Sequence, residues 1–346
     1  MNRVSHFINI FLLQPALARW ASLTVNPKEF NLRATLTSGQ AFRWTFLDQL
    51  EEWNGVVNGK LWRLKQTNPD QPVLYYRSDL TSDCSGDPEE LTDYFRLSIR
   101  LPDLIHTWRS ADCQFANRLS TITGQRSVVS LVEAHGIRLL RQEPVETLFA
   151  FITSANNNVP RISRLLNALC EALGEPVCSG GIKHWAFPKL HTLAQSGLEE
   201  KLRKMGFGYR SRYIPAAARW LLDNGGEAEL FKLRSATTEE AREFLLNIPG
   251  IGNKVADCIC LCALDNVNLV PVDVHMLRAA KERGIGAALR NGTLSTKAYR
   301  EVSLALSELW GEWAGWAQVI DFATRIRSNS SPRCVHFLIH LTVHSL

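Results

Sequence analysis

A lysine and an aspartate carry the strongest chemical signal in this chain, and both lie within NIPGIGNKVADCICLCALDNVNLVPVDVH at 247–275. Lys254 directly follows the turn Pro249-Gly250-Ile251-Gly252 and opens an apolar helical run. A primary amine attacks a sugar carbon only when unprotonated, so that role requires its pKa to fall from about 10.4. Placement at a helix N-terminus and partial burial both push that way. Cys258 lies one turn on, on the same face, where it could touch the amine or accept a proton transiently. The alternative is a solvated lysine paired with Asp257 three residues on, an arrangement that is common and weak.

Asp273 follows the apolar run VNLVPV and precedes VHMLRAAKERG, the position of a helix N-cap. A carboxylate there can also steady positive charge developing on a sugar, or deprotonate the lysine. Capping and chemistry are compatible. His275 could contact a phosphate or simply occupy the helix surface.

These residues need a helix, a tight turn and a second helix to position them. TTEEAREFLLN supplies the first helix, and the second begins near Asn253. Gly250 and Gly252 permit positive φ and remove side chains that would bar close approach. Amides of such a turn at a helix N-terminus attract phosphate, so the motif can grip a DNA backbone without reading sequence. A ligand-free interhelical turn would use the same glycines.

Around this motif the chain changes texture once. From about Glu29 to Arg77, FNLRATL, AFRWTF, KLWRLKQ and PVLYYRS alternate in short runs punctuated by Ser38-Gly39, Asn54-Gly55 and Asn68-Pro69. That pattern reads as an antiparallel sheet. After Pro88, segments such as PVETLFAFITS, RISRLLNALCEAL and VSLALSELWGEWAGWAQVI carry helical spacing, with loops such as GEPVCSGGIKHW between them. The expected class is α+β: a small N-terminal antiparallel sheet domain over 17–115 and a larger all-α body over 116–325. Residues 1–16 form an apolar arm or a basic, acid-poor mitochondrial leader, and 326–346 a tail.

Bulk properties narrow little. A net charge of +5 over 346 residues suits an anionic partner, as it suits many proteins without one. No stretch is long and apolar enough to span a bilayer. The eight cysteines form no paired CxxC arrangement, so no zinc site is expected, and reduced thiols in an intracellular protein are the simplest reading.

The order of hairpin, lysine and VPVDVH resembles the HhH-GPD superfamily of base-excision glycosylases. Within it, LTSGQAFRW at 36–44, RLLRQEPVETLFAFITSANNNVPRI at 138–162, LRKMGFGYRSRY at 202–213 and LWGEWAGWAQ at 309–318 resemble the eukaryotic 8-oxoguanine DNA glycosylases. The similarity spans roughly Pro15 to Val319. It implies a bifunctional glycosylase and abasic-site lyase acting on duplex DNA that contains oxidised guanine opposite cytosine. It implies a monomer in nucleus or mitochondrion, without metal or organic cofactor.

By the same resemblance Lys254 is the Schiff-base nucleophile and Asp273 the catalytic aspartate. Gly39 accepts the N7 proton of the oxidised base through its carbonyl, Gln318 reads the Watson–Crick edge, and Phe322 and Cys258 sandwich the ring. Pro271 sits beside the flipped nucleoside. Asn156 fills the vacated space, Arg161 and Arg210 hold the orphaned cytosine, and Tyr209 is the wedge. Read without the resemblance, Asn156-Asn157-Asn158 could be a turn or helix cap, Arg161 could pair with Glu143, and Gly39 could serve only its backbone angles.

The chain departs from the family in two places. DFATRIRSNSSPRC after Val319 replaces the usual helix ending, so Arg325 stands where an aspartate beside His275 is expected, and closure of the pocket comes into question. GQRSVVSLVEAH at 124–135 resembles a short insertion. The competing functions are a relative with an iron–sulfur cluster, a catalytically silent damage-binding protein, and a nonspecific hairpin module. Only Cys334 follows Asp273, which rules out the four clustered cysteines of the first. The third needs no base pocket.

Overall fold

The computed structural model describes residues 20–77, 88–120, 136–179, 182–286, 289–290 and 293–328. The expected N-terminal arm, the 124–135 segment and the tail beyond Ser328 lie outside the described residues.

Strands β1 (Ala21–Ser22), β2 (Thr45–Leu47), β3 (Glu52–Val57), β4 (Lys60–Lys65) and β5 (Leu74–Arg77) form an antiparallel sheet in the order β1-β5-β4-β3-β2. Alternation sends Trp62 and Leu64 of β4 to one core with Tyr75, Phe30, Phe95 and Leu140. Short helices α1 (Leu32–Leu36) and α2 (Pro88–Tyr94) accompany the sheet.

The helical body continues with α3 (Leu101–Ala111), α4 (Cys113–Ser120), α5 (Pro144–Ser154) and α6 (Val159–Leu173). A hairpin of β6 (Pro176–Ser179) and β7 (Ile182–Trp185) follows. The segment GEPVCSGGIKHW, expected to be a simple interhelical loop, is therefore a paired hairpin that packs against β3 and β4. Then come α7 (Leu190–Leu193), α8 (Leu198–Lys204), α9 (Tyr213–Asp223), α10 (Gly226–Lys232), α11 (Thr238–Leu246), α12 (Asn253–Ala263) and α13 (Val274–Glu282). Two-residue strands β8 (Leu289–Arg290) and β9 (Thr293–Leu294) pair before α14 (Thr296–Trp310) and α15 (Ala314–Ser328).

The sequence explains the centre of this body. Between Val255 and Ala263 every residue of α12 is buried, and α5 buries Val145, Leu148, Phe149, Phe151 and Ile152 against it. Helices apolar all round belong inside a core. Pro144 at the first position and Glu143, accepting from Val145 N at 2.9 Å and Glu146 N at 2.6 Å, start α5. A capping box of Thr237 and Glu240 starts α11.

The run 138–142 ties the sheet to the helices. The fully buried Arg138 donates to the carbonyls of Phe95 (3.1 Å), Glu29 (3.2 Å), Ile99 (2.8 Å) and Arg96, and lies 4.9 Å from the Trp316 ring of α15. Gln40 donates to Arg138 O at 2.7 Å and accepts from Leu140 N at 2.9 Å. Gln142 in turn donates to Gln40 O at 2.8 Å and, through its backbone, to Cys262 O at 2.8 Å. The Ser38-Gly39-Gln40 turn is thus bonded to the helical body, which delivers Gly39 to the end of α15.

Candidate active site

The hairpin forms as its glycines require, though only one is left-handed. Gly250 has φ +90°, and a Cβ there would lie 2.7 Å from Tyr213 Cβ and Cγ. Gly252 has φ −107° and ψ 178°, ordinary extended backbone, so of the two glycines that permit positive φ only Gly250 uses it. Its contribution is open space: no described atom lies within 4 Å of where its Cβ would be. Gly252 is the N-cap of α12 and no side chain caps the helix, leaving the first amides available to a phosphate oxygen.

Asp257 holds the two hairpin helices together. Its carboxylate is fully buried and accepts from Arg242 of α11 at 2.7 and 2.8 Å and from Tyr299 of α14 at 2.8 Å. It is therefore not a surface partner for Lys254, and that alternative is set aside.

Lys254 is half-buried on the first turn of α12. Its Nζ lies 5.4 Å from the Phe151 ring centroid, with the Cys258 side chain one turn on and the Asp273 carboxylate acting on its charge. Burial pulls its pKa down, but the Cys258 sulfur and Asp273 offset this, and the amine stays above the ordinary lysine value. The expected fall is absent in the DNA-free protein. An amine that is to act as a nucleophile must first give up that proton. Burial pushes the Cys258 thiol up, so the sulfur is a neutral, soft wall.

Asp273 is the N-cap of α13, accepting from His275 N and Met276 N, each at 2.9 Å. Pro271 and Val272 are buried before it, and Tyr299 Oη accepts from Val272 N at 3.2 Å, which fixes the approach to the cap.

On the far wall Gly39 has φ +89°, and a Cβ on it would sit 3.1 Å from a Phe322 ring carbon. His275 meets the same Phe322 ring edge-on, centroids 5.5 Å apart. Phe322 is thus part of the site wall. Gln318, one turn earlier on α15, is 8% exposed.

A second constellation gathers at the start of α6. Asn157 donates to Thr153 O at 3.0 Å and Asn158 caps the helix at Arg161 N, so two of the three asparagines serve local structure. Asn156 is left-handed (φ 49°) and exposed. Tyr209, 49% exposed, donates to Ala155 O at 3.0 Å. Arg210 is buried, its guanidinium bonded to the carbonyls of Ala155 and Asn156 and lying 4.5 Å from the Tyr209 ring. Arg161 donates to Gly206 O at 2.9 Å, while Glu143 caps α5, so those two do not pair.

Among the described residues no three His, Cys, Asp or Glu side chains gather to hold a metal, and no helix is long and apolar enough to cross a membrane.

Residues 22–148 match the family described as 8-oxoguanine DNA glycosylase, N-terminal domain, and 149–311 match the HhH-GPD superfamily of base excision DNA repair proteins. The N-glycosylase/DNA lyase of Saccharomyces cerevisiae is 32% identical, covering 90% of this chain and 88% of its own. The chain belongs to the 8-oxoguanine DNA glycosylase family. The N-glycosylase/DNA lyase OGG1 of Arabidopsis thaliana is also 32% identical, covering 89% and 80%. A solved structure, MBOgg1 in complex with a low affinity DNA ligand, superimposes with a TM-score of 0.72 at 26% identity, covering 90% of this chain and 100% of that one.

In this member of the 8-oxoguanine DNA glycosylase family, the divergent ending after Val319 is helical through Ser328. Arg325 bonds to Asp321 and Glu282 of the same protein. Sequence reading missed Phe151, whose ring flanks the Lys254 amine and is itself met edge-on by Phe42 at 5.9 Å. Only its place in an unusually apolar helix four residues before Ala155 marked it.

Proposed function

We propose that the chain is a bifunctional glycosylase and abasic-site lyase that excises 8-oxoguanine opposite cytosine, acting as a monomer on duplex DNA. The observation that carries this reading is the half-buried Lys254 amine, one helical turn from Cys258 and within the field of Asp273, at the foot of an uncapped hairpin helix. A hairpin that only gripped DNA would not need a desolvated amine.

The hairpin amides hold the phosphates, and Tyr209 and Asn156 support the bend while the base rotates outward. By the family resemblance Gly39, Gln318, Phe322, Cys258 and Pro271 meet the base and its sugar, and Arg161 and Arg210 hold the orphaned cytosine. Arg210, inward in the free protein, sets the turn that carries Asn156.

Lys254 passes its proton toward Asp273 or the departing base. Its nitrogen lone pair then forms a bond to C1′ as the glycosidic bond breaks, the electron pair leaving with the base, which takes up a proton. Asp273 stabilises the positive charge on the sugar. Opening of the sugar ring gives an imine, whose C2′ proton is lost as the C3′–O bond breaks and the 3′ phosphate departs. An amine and a carboxylate suffice for both bond cleavages.

The test is single-turnover base release from a duplex with 8-oxoguanine opposite cytosine, beside adenine-opposed and undamaged duplexes. Release and nicking preferentially with cytosine support the reading. Tight lesion binding without release leaves a silent damage-binding protein. Tagged full-length protein should locate to nucleus or mitochondrion, and exclusion from both overturns that compartment.

A further inference from the structure

The residue that looked most like a defect, Arg325, is built into a network that, among the described residues, joins six charged side chains. Its Nε donates to Asp321 at 2.5 Å, and its two terminal nitrogens donate to Glu282 at 3.0 and 2.8 Å. Arg283 bridges Asp112 (2.7 Å) and Asp321 (3.2 Å), and Arg118 reaches Glu282 (2.9 Å) and Asp321 (3.6 Å). The side chains of Arg283, Asp112, Asp321 and Arg325 are exposed by 3, 3, 0 and 7%. Three arginines thus meet three acids, and the group is neutral within itself.

Its place in the fold matters more than its strength. Glu282 ends α13 and Arg283 follows it, while the other end of that helix is the Asp273 cap. Asp321 and Arg325 lie one turn apart on α15, and so do Gln318 and Phe322. One pair holds the network; the other lines the pocket. Apolar packing between two helices resists separation better than sliding, whereas forked guanidinium–carboxylate bonds fix both distance and register.

We infer that Arg325 is a positioning residue. With Asp321 and Glu282 it sets α15 against α13, and so fixes Gln318 and Phe322 relative to Asp273. This rests on the glycosylase reading. It makes base recognition depend on a network that the lysine chemistry itself does not use.

Two reactions separate these dependencies. Excision of 8-oxoguanine needs the base-contacting pair; borohydride trapping at a preformed abasic site needs Lys254 and no base. Removing only one buried partner strands a charge, so the informative variant is Asp321→Leu/Arg325→Met, which removes an acid and its guanidinium together. Excision should fall at least about tenfold, while abasic-site trapping stays within about twofold of wild type. Arg325→Lys keeps the charge without the fork and should fall between. Equal loss of both reactions, or loss of neither, overturns the inference. Wild-type protein that neither excises nor traps overturns the glycosylase reading, and the inference with it.

Discussion

Phe322 stands against Gly39, a ring carbon 3.1 Å from where a Cβ on that glycine would lie. Two distant parts of the chain, the turn after α1 and the last helix, meet so closely that a methyl group between them would displace the ring by a few tenths of an ångström. Gly39→Ala adds that methyl at a φ of +89°, which costs about 1–2 kcal/mol in backbone strain alone. We predict that single-turnover excision falls at least about tenfold, because Phe322 must shift. Abasic-site trapping should change far less. Unchanged excision would mean that Gly39 is there only for its turn.

Asp273 combines two roles that one pair of variants separates. Asparagine keeps an acceptor for the His275 and Met276 amides; alanine does not. Asp273→Asn should therefore fold with near wild-type stability yet lose about 100-fold or more in excision, as a group facing developing charge does. Asp273→Ala should lose activity and also about 1 kcal/mol of stability as a lost cap. Thermal melting beside single-turnover kinetics distinguishes them; full activity in Asp273→Asn sinks the catalytic assignment.

The hairpin should contribute affinity without discrimination. Gly250→Ala strains a φ of +90° and drives a Cβ to 2.7 Å from Tyr213 atoms, so the turn must move. Titrations at one salt concentration should show lesion and undamaged duplex weakened by the same factor. Selective loss of lesion binding would place Gly250 in base recognition instead.

Glu282 gives the network a pH signature. Hydrogen bonding to Arg325 and the nearby Arg118 hold its carboxyl down to about 2. An acid whose folded pKa is depressed contributes stability that is present above the unfolded value, about 4.3, and disappears as pH falls through the folded one. The stability gap between wild type and Glu282→Gln should be constant above about pH 5 and shrink below it. A gap independent of pH down to 3 would show that the charge of Glu282 contributes nothing.

The chemistry was legible in sequence because it is local. Lys254, Cys258 and Asp273 fall within one short stretch, and helix spacing alone puts the first two in contact. What escaped reading is what closes the site from afar. Arg118, Glu282, Asp321 and Arg325 come from three helices, and nothing in their neighbours announces that they meet. The four-residue spacing of Asp321 and Arg325 was a helix signal inside a stretch taken as divergent. The Gly-Gly pair in GEPVCSGGIKHW was a hairpin signal, weakened by short and partly polar flanks. The Lys254 pKa was misjudged because burial and helix position were weighed without the Asp273 carboxylate as a charge partner.

Borohydride reduction during reaction with a duplex carrying 8-oxoguanine opposite cytosine bears most directly on the nucleophile. Wild-type protein should yield a stable covalent adduct, and Lys254→Gln should bind the same duplex and yield none. An adduct of undiminished yield from Lys254→Gln would contradict the assignment.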